Sequence, residues 1–330
     1  MTDAPLPPLA DLLQTARVVA LPLVTRFRGI LVREALLLEG PEGWTEFSPF
    51  VEYDDDEASA WLAAAIDYGW LPAPPGVRDA IRVNATVPSV DPDEVAAVLE
   101  RFPGCRTAKV KVAGGDQVLA QDVARVRVVR EVLGPEGRIR LDANGGWNVD
   151  EAEHAIHALA EFDLEYVEQP CATVEELAEI RRRTKYMGIP IAADESVRRA
   201  ADPLAVAEAG AADLLVVKAQ PLGGIRRALR IIRDAGLPVT VSSALDTSVG
   251  LAMGAHLAAA VPDLEYDCGL GTASLLAADV AADPLAPVDG SVPVRRVEAS
   301  GDLLDRWAAD EDRTAWWLAR LERCHAVLDR

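Results

Sequence analysis

Cysteine is scarce in this chain of 330 residues, and its four positions are scattered. Cys105, Cys171, Cys268 and Cys324 form no C-x-x-C pair. This spacing argues against a zinc knuckle and against a framework of disulfide bonds. Isolated thiols suit a reducing compartment, so we expect a cytoplasmic protein.

Targeting segments and long apolar runs are also missing. Residues 1–8 have no basic stretch ahead of an apolar one, so the sequence predicts no signal peptide. No apolar run reaches the roughly 20 residues that a membrane-spanning helix needs. We therefore expect no membrane insertion.

Positive charge is in deficit. The chain has 33 Lys and Arg against 53 Asp and Glu, a formal net charge of −20. A surface this acidic repels nucleic acid and anionic lipid, so we predict no nucleic-acid partner. An anionic substrate would need a locally positive pocket in this field.

Charged residues that follow apolar runs are the main positive signal. Five strings carry them: Lys109-Val110-Lys111, Asp142-Ala143-Asn144, Glu168-Gln169-Pro170, Asp194-Glu195-Ser196 and Lys218-Ala219-Gln220. The acidic positions Asp142, Glu168 and Asp194 recur every 26 residues, and Lys218 follows after 24. A charged residue at the end of each buried strand, on such a repeat, is typical of βα units.

The same rhythm predicts the fold. We expect parallel strands near residues 82–87, 107–112, 138–142, 164–168, 189–194, 213–217, 238–242 and 264–267, with helices in most of the gaps. The helices include one over residues 116–133 and one whose cap is Asp202. Eight such units favour a closed (β/α)8 barrel, and an open doubly wound sheet is the alternative.

The ends of the chain follow a different pattern. Strands predicted at residues 17–24, 30–39 and 44–47 and a helix at 57–68 precede a proline-rich linker at 71–76. We therefore expect an α+β capping domain at residues 1–80, a barrel at 81–285 and a C-terminal segment at 286–330. The tryptophans of that segment, Trp307, Trp316 and Trp317, should pack back on the capping domain.

The strand-end residues define a chemistry. In a barrel the active site lies at the C-terminal ends of the strands. Three carboxylates aimed at one spot repel each other unless a cation lies between them, and an all-oxygen set favours Mg²⁺, with Mn²⁺ as a substitute, over zinc. With a lysine as base, the predicted reaction is proton abstraction next to a carboxylate, which ends in racemisation, epimerisation or elimination.

The order of these five strings resembles the enolase superfamily, muconate-lactonising subgroup, over nearly the whole chain. Within that subgroup the chain resembles the o-succinylbenzoate synthase family of menaquinone biosynthesis. The strings that carry this narrower resemblance are Arg26-Phe27-Arg28-Gly29, Trp44-Thr45-Glu46-Phe47-Ser48-Pro49, Val83-Asn84-Ala85-Thr86, Ser242-Ser243-Ala244-Leu245-Asp246-Thr247-Ser248 and Gly269-Leu270-Gly271-Thr272. Thr45 departs from the family, which usually has glycine there, and this departure leaves the local turn in question.

The resemblance implies a fold and a set of roles. The fold is a modified TIM-type barrel with an α+β capping domain built from both ends of the chain. Asp142, Glu168 and Asp194 would bind magnesium, Lys111 would be the base, and Lys218 would lie on the other face of the substrate. The implied reaction is the magnesium-dependent dehydration of 2-succinyl-6-hydroxy-2,4-cyclohexadiene-1-carboxylate to o-succinylbenzoate.

Substrate contacts are expected from a further set of residues. The succinyl tail should reach the loop that carries two arginines and the serines after the seventh strand. The predicted substrate-binding residues are Lys109, Arg26, Arg28, Asn144, Ser242, Ser243 and Gly269.

Three other functions remain open from the sequence. An N-succinylamino acid racemase would use Lys111 and Lys218 as bases on opposite faces. A dipeptide epimerase usually has Asp-x-Asp at the eighth strand, where this chain has Asp267-Cys268-Gly269. A barrel that only binds a ligand or partner would not need the complete set of five residues. The sequence leaves both a monomer and a homo-oligomer open.

Overall fold

The computed structural model describes residues 5–115, 118–198 and 203–330. The start of the helix predicted from Asp116 and the predicted cap Asp202 lie outside these described residues. The remainder of the first helix is present from Leu119 to Leu133.

Strands and helices alternate through most of the chain. The strands are β1 (Arg17–Phe27), β2 (Ile30–Gly40), β3 (Gly43–Phe47), β4 (Ala80–Arg82), β5 (Ala85–Val87), β6 (Thr107–Lys111), β7 (Arg138–Asp142), β8 (Leu164–Glu168), β9 (Ile191–Ala193), β10 (Leu214–Val217), β11 (Val239–Val241) and β12 (Ser291–Pro293). The helices are α1 (Leu9–Thr15), α2 (Asp55–Trp70), α3 (Val95–Leu99), α4 (Leu119–Leu133), α5 (Val149–Leu159), α6 (Val174–Thr184), α7 (Glu195–Arg198), α8 (Ala205–Glu208), α9 (Ile225–Ala235), α10 (Ser248–Ala260), α11 (Gly301–Arg306) and α12 (Glu311–Leu328).

The N-terminal unit is an antiparallel sheet with helices against it. Its strand order is β1-β2-β3. Helix α2 starts earlier than predicted because the Asp54 carboxylate accepts a hydrogen bond from the Glu57 amide at 2.8 Å and caps the helix. The buried side chains of β3 and α2 form one apolar cluster, so the helix covers the inner face of the sheet.

The C-terminal segment returns to this unit. The Trp317 ring on α12 meets the Phe47 ring edge-on, with 5.9 Å between centroids. Trp316 meets Trp317 edge-on, and the Trp307 carbonyl accepts a hydrogen bond from the Ala20 amide of β1 at 2.9 Å. Both ends of the chain therefore contribute to one sheet-and-helix layer, as the resemblance implied.

Thr45 does not disturb the local turn. It lies inside β3, paired with Leu38, and is fully buried, while the turn itself lies at residues 41–42. The threonine methyl group packs where α2 has glycine, since a Cβ at Gly69 would come within 2.9 Å of it. The departure from glycine is therefore accommodated by the small residue opposite.

The central sheet has seven parallel strands in the order β5-β6-β7-β8-β9-β10-β11. The bounds of β6 to β11 agree with the second to seventh predicted strands to within two residues. The first and eighth predicted strands differ from the structure. The first predicted strand, over residues 82–87, is split in two. β4 overlaps it only at Arg82 and pairs antiparallel with β12, and β5 alone belongs to the parallel sheet.

The eighth predicted strand is wrong, because residues 264–267, which the structure describes, form no strand. The ring still closes, through single parallel bridges from Val83 to Cys268 and from Ser242 to Gly269. The Asp267 carbonyl accepts hydrogen bonds from the Arg140 guanidinium at 2.6 Å and the Thr240 hydroxyl at 3.2 Å. Backbone hydrogen bonds of Cys268 with Arg82 and Asn84, and of Gly269 with Val241 and Ser243, complete the ring. The closed barrel is therefore confirmed over the open sheet.

Local signals explain the outer helices. The Thr173 hydroxyl and the Glu176 carboxylate form the predicted capping box at the start of α6. Helix α9 ends at Gly236, whose φ of 62° lies in the left-handed region that glycine adopts readily. Among the described helices, none has the length and apolar character needed to cross a membrane.

Candidate active site

The five predicted strand-end residues lie at one end of the barrel. Lys111, Asp142 and Glu168 are the last residues of β6, β7 and β8, and they are paired across the sheet in that order. Asp194 and Lys218 follow β9 and β10 directly. The even spacing in the sequence therefore becomes a row of charges along the carboxyl edge of the sheet. We call Lys109 and these five residues the strand-end cluster.

Lys109 lies between two of the carboxylates. Its ammonium nitrogen is 3.0 and 3.1 Å from the two Glu168 oxygens and 3.3 Å from Asp142 Oδ2. All three side chains are buried. Burial alone would lower the pKa of Lys109, but the negative charges of Glu168 and Asp142 outweigh it and raise this pKa well above its ordinary value. Lys109 is therefore held as a cation.

The other two lysines hold the outer carboxylates. The Lys111 ammonium donates to Asp142 Oδ2 at 2.5 Å and to the Asn144 amide oxygen. The Lys218 ammonium donates to Asp194 Oδ2. Burial would raise the pKa of Asp142, but Lys111 and Lys109 lower it well below its usual range.

Glu168 has the opposite shift. Burial raises the pKa of Glu168 to about 7, and the charge of Asp142 adds to the effect, against the attraction of Lys109. Burial is therefore the main cause of the rise, and the repulsion from Asp142 is a smaller one. Additional positive charge at this position would favour the ionised form of Glu168.

A small cavity opens above the cluster, with a volume of about 50 Å³ open to a water-sized sphere. Ten of the predicted site residues line it, namely Arg28, Lys109, Lys111, Asp142, Asn144, Asp194, Lys218, Ser242, Ser243 and Gly269. The structure therefore brings the lysines, two of the carboxylates and most of the predicted binding residues together.

Two predicted site residues do not line the cavity. Glu168 is fully buried behind Lys109. Arg26 points along the hairpin, where its guanidinium donates to the Gly29 carbonyl at 3.5 Å. By contrast, the Arg28 guanidinium lies over the Phe50 ring, 4.1 Å from the centroid, and donates to the Tyr53 hydroxyl at 3.2 Å.

The aromatic wall of the cavity was missed by the sequence analysis. Phe27, Phe50, Tyr53 and Trp61 line it from the capping domain. Phe27 lies inside the string at residues 26–29 that carries the family resemblance, and Phe50 directly follows the string at 44–49. Their positions in the chain were therefore a weak signal for both. Trp61 lies on α2 among alanines and apolar residues, where a buried core residue is the ordinary interpretation.

Lysine is rare in the chain, and its distribution is informative. There are four lysines, and Lys109, Lys111 and Lys218 all belong to the strand-end cluster. The fourth, Lys185, is exposed on a 3₁₀ turn, Lys185–Met187, after α6. The other permanently charged basic residues are arginines, which cannot act as bases at ordinary pH, and none of the four histidines lines the cavity.

The residues present fit a hard divalent cation in type and position. Three carboxylates from successive strands offer only oxygen donors, and the raised pKa of Glu168 means that its ionised form would gain from additional positive charge. In the described part of the chain no acidic, histidine or cysteine side chains form a ready coordination group of three. The reason is visible in the contacts, since each carboxylate is turned toward a lysine.

Comparisons with known proteins agree with this geometry. The sequence profile described as "Enolase C-terminal domain-like" matches residues 93–301, and the one described as "Enolase N-terminal domain-like" matches residues 18–69. A solved structure of muconate lactonizing enzyme from Pseudomonas fluorescens, in complex with muconolactone, superimposes with a TM-score of 0.76. It is 21% identical and covers 89% of this chain and 98% of that chain, so it supports the fold.

Curated relatives are much more similar in sequence. The protein named o-succinylbenzoate synthase of Thermobifida fusca is 57% identical over 96% of this chain and 98% of its own length. The protein of the same name from Mycolicibacterium smegmatis is 52% identical over 98% of both chains. The chain therefore belongs to the enolase superfamily and, within it, to the o-succinylbenzoate synthase family.

Proposed function

We propose that the protein is a lyase that dehydrates 2-succinyl-6-hydroxy-2,4-cyclohexadiene-1-carboxylate to o-succinylbenzoate, a step of menaquinone biosynthesis, with magnesium as cofactor. The observation that carries the proposal is the strand-end cluster, in which three lysines and three carboxylates occupy one end of the barrel below a cavity. Relatives at 52% and 57% identity carry the matching name.

Lys111 is the residue best suited to remove the proton. Lys109 is buried between two carboxylates and stays charged, so it cannot accept a proton. Lys111 lies one step further toward the cavity and is more exposed, with 15% of its side chain accessible. Its partners Asp142 and Asn144 orient the amine, so that a substrate carbon in the cavity is within its reach.

The reaction balances with this single lysine. Neutral Lys111 takes the proton from the carbon that bears the ring carboxylate, and the electron pair of that bond forms a ring double bond. The hydroxyl on the neighbouring carbon leaves with its bonding electrons and takes the proton from Lys111, so water is released and the ring becomes aromatic. Aromatisation makes the step strongly downhill.

Lys218 approaches from the opposite side of the barrel. It follows the fourth strand after β6, and in an eight-membered ring these positions face each other. In a dehydration Lys218 needs only to remain charged, as a cation against the ring of the substrate. Its ion pair with Asp194 keeps the amine directed at the cavity.

Asp142, Glu168 and Asp194 are the residues that would hold the magnesium ion. When bound, the ion would supply positive charge beside the substrate carboxylate and make the neighbouring proton more acidic. The protein's own part is to present three oxygen ligands from rigid strand ends.

The succinyl tail has two sets of candidate partners. Arg28 offers positive charge from the capping domain, and Ser242 and Ser243 offer hydroxyls from the loop after β11. Gly269 provides room, since a Cβ there would come within 2.4 Å of Ser242 Oγ. The Asp267 side chain bonds to Thr107 at the other end of the strands, so it cannot hold a substrate ammonium as an epimerase would require.

The test is an assay of the purified protein with the cyclohexadiene substrate. We expect aromatic product to form in the presence of magnesium and to stop in excess chelator. Racemisation of N-succinylamino acids, measured on the same sample, distinguishes the main alternative. Absence of dehydration together with rapid racemisation would refute the proposed function, and full activity in chelator would refute the role of the metal.

A further inference from the structure

Two strings that carry the family resemblance meet at the contact between the capping domain and the barrel. Glu46 belongs to β3 of the capping domain and is fully buried. Its carboxylate accepts hydrogen bonds at 3.1 Å from the amides of Thr247 and Gly250, and another from the Thr247 hydroxyl. These groups form the first turn of α10, so Glu46 caps a barrel helix from the other domain.

Arg33 makes a second set of contacts across the same boundary. It lies on β2, is 2% exposed, and donates from Nε to the Leu245 carbonyl at 3.1 Å. Its Nη2 donates to the Ala244 carbonyl at 3.4 Å and to the Ser48 hydroxyl at 3.0 Å. One capping-domain side chain therefore binds two successive carbonyls of the loop after β11.

That loop has an unusual shape. Leu245 has a φ of 63°, in the left-handed region that a leucine rarely adopts. The conformation needs support from outside the loop, because it brings the Cβ of a side chain too close to the backbone. Both carbonyls that Arg33 binds belong to the strained residue and its neighbour.

The loop is also part of the active site. Ser243, Ala244 and Leu245 line the cavity. Neither Arg33 nor Glu46 lines it. Their contacts act on the wall of the cavity through the backbone of the loop.

The packing around Glu46 leaves no room for adjustment. A Cβ at Gly250 would come within 2.7 Å of the Glu46 carboxylate and 2.8 Å of Asp246 Cβ. The Asp246 carboxylate in turn accepts from the Ala244 amide at 3.4 Å. We call Arg33, Glu46, Ser48, Asp246 and Thr247 the interface cluster.

We propose that Arg33 and Glu46 are positioning residues, which hold the loop over residues 243–247 in the shape that binds the substrate. The capping domain would then shape the substrate site in two ways: directly, through the aromatic wall, and indirectly, through this loop. The inference deepens the proposed function, on which its activity assay rests.

The test compares Arg33→Met and Arg33→Lys with a matched control, Arg78→Met. Arg78 donates to the carbonyls of Ala258, Val261 and Pro262 at the other end of α10, away from the cavity. The control therefore removes the same kind of contact from the same helix. Each variant is assayed for kcat, KM and thermal midpoint, and hydrogen exchange is measured at the amides of residues 243–247.

We expect Arg33→Met to raise KM by about tenfold or more with a smaller change in kcat, because the catalytic lysines lie on other strands. Amide exchange in the loop should accelerate. Arg33→Lys should recover part of the KM, and Arg78→Met should lower the thermal midpoint while kcat and KM stay within about twofold of wild type. If Arg33→Met fails to fold, Glu46→Gln serves the same comparison.

Three outcomes would overturn the inference. They are an unchanged KM in a folded Arg33→Met or Glu46→Gln variant, an equal loss of activity in Arg78→Met, and unchanged exchange in the loop. The exchange measurement separates this inference from the proposed function. If the wild-type protein lacked dehydratase activity altogether, the function would fail while the effect of Arg33 on the loop could still be observed.

Discussion

The strand-end cluster and the interface cluster are both buried groups of mixed charge, but their partners differ. In the strand-end cluster each carboxylate faces the ammonium group of a flexible lysine. In the interface cluster Arg33 and Glu46 bind mainly backbone carbonyls and amides that cannot move away. Side-chain pairs can exchange partners during a reaction, whereas contacts with backbone groups fix one conformation.

The difference separates two uses of buried charge. Charges that take part in chemistry need partners that can be replaced by substrate or metal. Charges that position a loop gain from partners whose removal leaves a buried group unsatisfied, at a cost of about 1–3 kcal/mol each. Four perturbations test this comparison, from the largest expected effect to the smallest.

Lys111→Ala should have the largest effect. No other group is placed to take the proton, so the loss of dehydration should exceed the 10²–10⁴-fold typical of a general base. Lys218→Arg keeps the positive charge but cannot deprotonate, and some dehydration should survive to the extent that the larger guanidinium fits. Both variants are assayed for the initial rate of dehydration and for exchange of solvent deuterium at the α-carbon of the substrate. If Lys111→Ala still dehydrated the substrate while Lys218→Arg did not, the assignment of the base to Lys111 would be wrong.

Loss of one proposed metal ligand should have the second largest effect. Asp194→Asn removes one proposed ligand charge and also the partner of Lys218, so activity should fall by about 10²-fold or more and should need more magnesium for half-saturation. A titration of activity against magnesium concentration measures the shift. The same half-saturation in wild type and variant would remove Asp194 from the proposed ligand set.

Substitution of Arg28 should change KM by a smaller amount, with Arg26 as the control. Arg28 lines the cavity and is also close to the interface cluster. Phe50 lies between the Arg28 and Arg33 guanidinium groups, at 4.1 and 4.5 Å from its centroid. Arg28→Ala should raise KM by about tenfold, since a hydrogen bond to a charged group contributes 1.5–3 kcal/mol or so. Arg26→Ala is the control and should leave KM within about twofold. Equal effects of the two would contradict the placement of Arg28 in the cavity and Arg26 outside it.

The fourth perturbation is measured as stability instead of activity, through the pH dependence at Glu46. Burial raises the pKa of Glu46 from an ordinary 4.5 to about 7, and the nearby Asp246 carboxylate adds to the rise. A carboxyl whose pKa is raised on folding binds its proton more tightly when folded, so stability falls as pH rises from 4.5 toward 7. The slope for one such group is at most about 1.4 kcal/mol per pH unit.

Glu46→Gln cannot titrate and should lack this slope. The difference in thermal midpoint, variant minus wild type, should therefore increase between pH 5 and pH 8. Asp67→Asn, another buried carboxyl at the contact of α2 with the barrel, serves as the control. A difference for Glu46→Gln that is constant with pH would show that Glu46 has an ordinary pKa.

Much of this fold could be predicted from the sequence because each barrel strand is a short local apolar run. The ends of β6, β7 and β8 agree with the strings that carry Lys111, Asp142 and Glu168, since a charged residue interrupts the apolar run where the strand ends. The eighth position could not be predicted in this way. Its closure depends on backbone hydrogen bonds of Cys268 with Arg82 and Asn84, residues that are remote from it in the chain.

The residues of the candidate site likewise fall into those that a local pattern predicts and those that depend on long-range contacts. Residues that a βα repeat places at strand ends were predicted, and the structure gathers them around the cavity. The aromatic wall and the interface cluster depend on contacts between residues about 200 positions apart, such as Glu46 with Thr247. No local pattern encodes such a contact. The strings that carry the family resemblance contain Glu46 and Thr247 but neither Arg33 nor most of the aromatic wall.

The scarcity of lysine has a practical consequence for handling the protein. Lys185 is the exposed lysine, and its 3₁₀ turn leads into the amino end of β9, on the side of the barrel opposite the cavity. An amine-reactive surface would therefore capture the molecule through Lys185 or the chain terminus. Attachment through Lys185 leaves the mouth of the barrel facing the solution, so an immobilised layer of this protein should have a preferred orientation.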